Sequence, residues 1–302
     1  MALLLLGLLL SAPGFVLGPL AGLLVLSRPA SLREWLWLAI AAAGAGWALQ
    51  VPGTLSTAVT HSAAVLVTGA FLALTLWRPM PVFRRAVLAV TAAAAALVLW
   101  CAVYGVSWSR IQQAERAEWS AWRTAVVAQV RAQSPPQDRE TRERVEELAG
   151  QMAESAPPLF PGLLALGALL GVVTACGWYD RIARRRHVGP PLGRLADFRF
   201  SDHATWALIA ALALVLVPGP PALAGVGRNL LLVMLVLYAL RGLGVLRHAS
   251  ERVPRRVVVA LGVIAFFMLP FAASGLVLLG LADTWIDFRR RLAPSSPGGV
   301  DR

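Results

Sequence analysis

Apolar residues run along this chain in long, nearly unbroken blocks separated by short polar links. A helix needs about 20 such residues to cross a hydrocarbon core. A soluble helix would interrupt them every three or four positions, and a membrane barrel would alternate them in short segments. The pattern therefore predicts an all-α, polytopic transmembrane helical bundle of about eight spans.

The spans read as Ala2 to Leu26, Trp35 to Gln50, Ser62 to Trp77, and an alanine-rich run ending at Val106. After an insert come Leu159 to Trp178, a run from Ala204 to the turn at Pro218–Pro221, Ala222 to Leu246, and Val257 to Leu281. Pro13 and Pro19 allow the first run to kink or split. The last run contains Pro270. About 26 uncharged residues make only about 39 Å of helix, too little for two full crossings, so one long, kinked or tilted helix is expected there.

One stretch breaks the pattern. Residues 108–157 hold seven arginines and eight acids, half of the 16 acidic residues in the chain. Trp119, Trp122, Val126 and Val130 recur at helical spacing opposite Gln113, Arg116 and Arg123. Ser134 and Pro135 look like the cap and first turn of a second helix, with Val145, Leu148 and Met152 as its apolar stripe. This predicts an amphipathic helical hairpin, and three segments follow: a membrane half over 1–107, the hairpin over 108–157, and a second membrane half over 158–302. The hairpin could be a packed connector, a lid over a binding cavity or a partner surface; the sequence leaves these open.

Charge sets the orientation. The net charge of +12 comes entirely from arginine, since the chain has no lysine. Arginines crowd the links after the first, third, fifth and seventh spans and avoid those after the second and sixth. By the positive-inside rule the basic links are cytoplasmic and the hairpin is extracytoplasmic. The same count leaves the C-terminus outside despite Arg289, Arg290 and Arg291. Trp35, Trp77, Trp108, Trp178, Trp206 and Trp285 fall near span ends, as interfacial anchors do. The arginines beside spans explain the high isoelectric point, and no basic stretch carries the aromatics that would stack nucleic-acid bases.

Composition agrees, with 58% hydrophobic residues and a mean hydropathy of +0.66. The first run carries no basic residues ahead of it, so a cleaved signal peptide is not expected. Cys101 and Cys176 lie in separate apolar runs toward opposite ends, so no disulfide is expected. No phosphate-binding glycine loop, HExxH helix, paired-cysteine zinc spacing or GxSxG elbow occurs, and His61, His187, His203 and His248 are scattered. No catalytic residue, metal or cofactor is assigned.

Charges at membrane depth are the better leads, because they are costly unless paired or lining water. Arg228 and Arg241 lie in one span with about 12 residues, or about 18 Å of helix, between them. Arg228 is expected level with Asp283 or Asp287, and Arg241 level with Asp202. These five residues with Asn229 form the candidate polar lining for a substrate. Small-residue faces, Gly14, Gly18 and Gly22 on the first span and Gly167 and Gly171 on the fifth, suit close helix contact with another membrane subunit.

The stretches FRFSDHATWALIAALALVL, GRNLLLVMLVLYALRGLGVLRH and GLADTWIDFRRRL resemble the YybS-like family of bacterial predicted membrane proteins, a domain of unknown function. Asp202, Trp206, Asn229, Gly242, Gly280, Asp283, Asp287 and Arg289 carry the match, which is good over 180–302 and limited to hydropathy before that. The resemblance implies a multi-pass protein of the bacterial inner membrane. It also suggests kinship with the substrate-binding subunits of energy-coupling-factor vitamin transporters. The leading expectation is a small-molecule binding or transport subunit. The alternative is a non-transporting scaffold or assembly factor working through the hairpin and the arginine-rich loops.

Overall fold

The computed structural model describes residues 12–50, 53–133, 139–183, 188–250 and 253–288. Ser134, Pro135, His187 and Arg289–Arg291 fall outside them. Among the described residues there are eleven α-helices and no strand. The chain forms two compact units, 1–192 and 193–302.

The first unit contains α1 (Pro13–Leu26), α2 (Leu32–Gln50), α3 (Leu55–Trp77), α4 (Val82–Val103), α5 (Trp108–Gln133), α6 (Arg139–Ser155) and α7 (Phe160–Ile182). Local chemistry sets the boundaries. Ser31 and Glu34 cap α2 reciprocally: Glu34 N donates to Ser31 Oγ at 3.3 Å, and Glu34 Oε2 accepts from Ser31 N at 3.2 Å and Ala30 N at 2.8 Å. The Thr54 side chain accepts from Ser56 N at the start of α3. Helix α4 stops at Gly105, whose φ of +64° favours glycine, and Val106 N closes the end on Cys101 O at 2.9 Å.

Helices α1 and α3 run in the same direction and touch through the glycine stripe. Gly14 faces Ala64, Gly18 faces Thr68 and Gly22 faces Leu72, in step along α3. Gly171 of α7 lies against the Phe15 backbone, where an added methyl carbon would sit 2.8 Å from its carbonyl. The core around them comprises Phe15, Val16, Leu20, Leu24, Val67, Phe71 and Val172. Four of the five glycines expected to meet another subunit are therefore occupied within the chain. Only Gly167 has nothing within 4 Å.

The hairpin forms as expected. Arg131 Nε donates to Glu146 Oε1 at 2.8 Å, joining α5 to α6. The stripe on α6 differs from the expected one: Ala149 is buried, while Leu148 and Met152 are exposed.

The second unit holds α8 (Ala204–Leu216), α9 (Pro221–Ser250), α10 (Arg255–Phe267) and α11 (Leu269–Ile286). Thr205 of α8 bonds Tyr238 of α9 at 3.0 Å, while Gly227 meets Ala211 and Leu214, so these two helices are antiparallel. Gly242 of α9 and Gly280 of α11 interlock: a methyl on either would strike the other helix's backbone, at Leu276 O and Tyr238 O respectively. The end of α11 meets the start of α8, so α11 runs with α9.

This corrects the expected single final helix. The run divides at Met268, whose φ of −102° and ψ of 36° leave the helical region. Its 13-residue first piece spans about 20 Å, short of a crossing, and the second returns toward the end at which α10 began. Phe266, Phe267 and Phe271 are exposed around the bend. A re-entrant pair needs fewer residues than two full crossings, so a run too short for the latter still divides. Arg241, Arg247 and the C-terminal end of α11 then share one end of this unit.

Among the described residues, five helical segments are long and apolar enough to cross a membrane: Leu55–Trp77, Val82–Val103, Pro157–Ile182, Pro221–Ser250 and Leu269–Ile286. Helices α1, α8 and α10 are shorter apolar helices, and α2 has the length without the composition. The bundle exposes large apolar side chains such as Ile40, Val98, Leu99 and Leu216. A surface of that kind suits lipid rather than water.

Candidate functional site

Arg241 is the centre of the polar cluster in the second unit. Its guanidinium is buried, with Nε donating to Asp283 Oδ2 at 3.0 Å, Nη2 to Asp283 O at 3.2 Å and Nη1 to Asp202 Oδ1 at 3.0 Å. The Phe200 ring lies 5.4 Å from the guanidinium carbon. The Asp283 side chain is fully buried, whereas that of Asp202 is 66% exposed. The cation thus links a buried carboxylate to one at the surface.

The expected Arg241–Asp202 pair is present. The expected pairing of Arg228 with Asp283 or Asp287 is not formed. Arg228 is exposed, with Nε donating to Ala224 O at 3.4 Å in its own helix. It lies about 20 Å along α9 from Arg241, at the other end of the unit from Asp283. Asp287 instead binds Arg199, with one contact at 3.3 Å, and this contact raises the arginine's pKa. Asn229 donates to Gly225 O at 2.9 Å. The six candidate residues therefore do not line one cavity; three form a closed ion cluster. The physical reason is the reversal at Met268, which places the end of α11 with Arg241.

A cavity does exist, in the first unit. It measures about 910 Å³ and lies between the hairpin and the ends of α1, α2, α3 and α7. Ala12, Pro13 and Gly14 line it from the start of α1, Trp47 and Ala48 from the end of α2, and Ser56, Thr57, Thr60, His61 and Ala64 from α3. The hairpin contributes Glu115, Glu118, Trp119, Trp122 and Met152, and α7 contributes Phe160.

The two carboxylates fix the electrostatics. Glu118 Oε1 accepts from Thr57 Oγ1 at 3.2 Å and from Thr54 Oγ1. Glu115 is buried and bonds to the Ser56 and Trp119 side chains. Desolvation, followed by the charge of Glu118, pushes the Glu115 pKa up against the lowering effect of those bonds. Trp119 and Trp122 form an edge-to-face pair at 5.3 Å. Spacing could have revealed the acidic residues: positions 115, 118, 119 and 122 share one helix face. The tryptophans stand out as an apolar stripe, and the two glutamates precede them on the same face.

A third cluster occupies the far end of the first unit. Arg85 is buried, with Nη1 donating to Thr75 Oγ1 at 2.9 Å and Nη2 to Pro190 O at 3.3 Å, above the Phe71 ring. From sequence it belongs to a basic link; here it binds the segment after α7. Gly189, at φ +81°, lets that segment pass close to the guanidinium. No group of three or more metal-ligating side chains occurs among the described residues.

These features define a helical integral membrane protein with an open cavity beside the hairpin and buried ion clusters. The chain belongs to the family described as "Predicted membrane protein (DUF2232)", matched over residues 1–284. The match extends through the first half, where the resemblance noted from sequence was limited to hydropathy. No curated protein matches the chain, and no solved structure does.

Proposed function

We propose that this protein is a small-molecule binding or transport subunit of the bacterial inner membrane, with its binding site in the cavity beneath the α5–α6 hairpin. The supporting observation is the cavity itself: about 910 Å³, with aromatic walls and a few polar groups, within the range typical of ligand pockets. The hairpin would face outward and act as a lid, as the distribution of arginines suggests. Kinship with energy-coupling-factor substrate-binding subunits belongs to the same proposal and rests on resemblance alone.

The test is thermal-shift screening of the purified full-length protein against a broad metabolite panel. A ligand class that raises the melting temperature, and whose effect disappears when Ala48→Phe fills the cavity, supports the reading. Null shifts across the panel would favour the rival class, a non-transporting scaffold.

A further inference from the structure

We propose that the cavity beneath the hairpin selects organic cations, protonated or quaternary amines carried on an apolar body. This rests on the binding-site reading above and names its ligand class. Glu115 and Glu118 stand about one turn apart on α5, and both face the cavity. Their hydrogen-bond partners are hydroxyls and an indole, and among the described residues neither carboxylate is in an ion pair. That is a marked departure in a protein of net charge +12, whose arginines outnumber its acids.

The cavity walls complete the match. Trp47, Trp119, Trp122 and Phe160 offer π faces, and tryptophan is the best aromatic partner for a cation within about 6 Å of the ring. Ala12, Pro13, Ala48, Ala64 and Met152 provide apolar surface for the body of the ligand. Among the described residues no arginine lines the cavity, so an anion there would meet two carboxylates. Glu118 supplies the charge contact, while burial favours the protonated form of Glu115, an effect that a bound cation would oppose. A cation beside Glu115 opposes its protonation, so cation binding tightens as pH rises.

The experiment uses the full-length protein in detergent and three probes of similar size: benzyltrimethylammonium, an uncharged benzyl ether and benzylsulfonate. Binding is followed by calorimetry. The cation is expected to bind at least about tenfold more tightly than the other two and to weaken as salt is raised. Glu118→Gln should weaken the cation about tenfold and leave the ether unchanged, while Glu118→Asp retains most of the cation affinity. The salt series on the unmodified protein keeps the test decisive should the Gln variant misfold. Ether or sulfonate binding as tight as the cation, abolished by Ala48→Phe, overturns the cation assignment and leaves the binding site standing. Cation binding insensitive to both Ala48→Phe and salt overturns the cation assignment and the site together, as does no binding by any probe.

Discussion

At the scale of single residues, burial decides what each charge does. Arg241 and Asp283 are both withdrawn from solvent, and Asp202 meets the same guanidinium from the surface. Removing one partner of a buried pair leaves an uncompensated charge, at a cost of about 3–5 kcal/mol, whereas replacing both by apolar groups is often neutral. Asp283→Leu should therefore lower the melting temperature sharply, and the Arg241→Met/Asp283→Leu double variant should recover most of the loss. Asp202→Asn should have a much smaller effect. Equal losses for the single and double variants would show that packing, not charge, dominates there. Glu115 gives a pH-dependent counterpart. Its folded-state pKa is raised above the unfolded value of about 4.5, so its contribution favours folding most at low pH. As pH rises from about 4.5 through the raised folded value, the unfolded state loses its proton first and that contribution declines. A melting-temperature profile of Glu115→Gln, compared with the parent, should lack this decline.

At the scale of helices, glycines report which faces touch. A methyl at Gly242 or Gly280 would meet backbone that cannot move aside, so alanine at either should destabilise by about 1–3 kcal/mol. Gly171→Ala should behave similarly against Phe15, whereas Gly167→Ala should be neutral or gain up to about 1 kcal/mol from helix propensity. Melting temperatures of the four variants check this, and a loss at Gly167 would point to an intermolecular contact on that face. The same elements show how far sequence carries. Apolar runs located the spans and the hairpin, because burial in lipid demands length and that demand is local. The partners of the glycine stripe and the break at Met268 depend on which helix lies alongside, and no run of residues encodes that by itself. Half of the ion cluster was legible, since Asp202 and Arg241 sit at facing ends of consecutive antiparallel helices. Asp283 was assigned to Arg228 because one full final crossing was assumed. The cavity is not legible in the sequence, because its lining comes from six helices spread along the chain and its acids resemble ordinary solvated charge on α5.

At the scale of the whole molecule, the division at Met268 bears on the number of crossings to expect and so on the side expected for the C-terminus. With a single final crossing, the hairpin and the C-terminus lie on the same side. With a re-entrant α10–α11 pair, the chain returns to the side of Arg241 and Arg247, and arginines 289 to 291 join the other cytoplasmic charges that the positive-inside rule collects. The two arrangements separate cleanly by labelling. In a background with Cys101→Ser and Cys176→Ala, a single cysteine at Gln137 should react with an impermeant maleimide added to intact cells. One at Ser296 should react only after permeabilisation. Labelling of both from outside would restore the full final crossing and require Arg289–Arg291 to be exported. Labelling of Ser296 alone would invert the topology, place the hairpin and its cavity in the cytoplasm, and make any ligand an intracellular one.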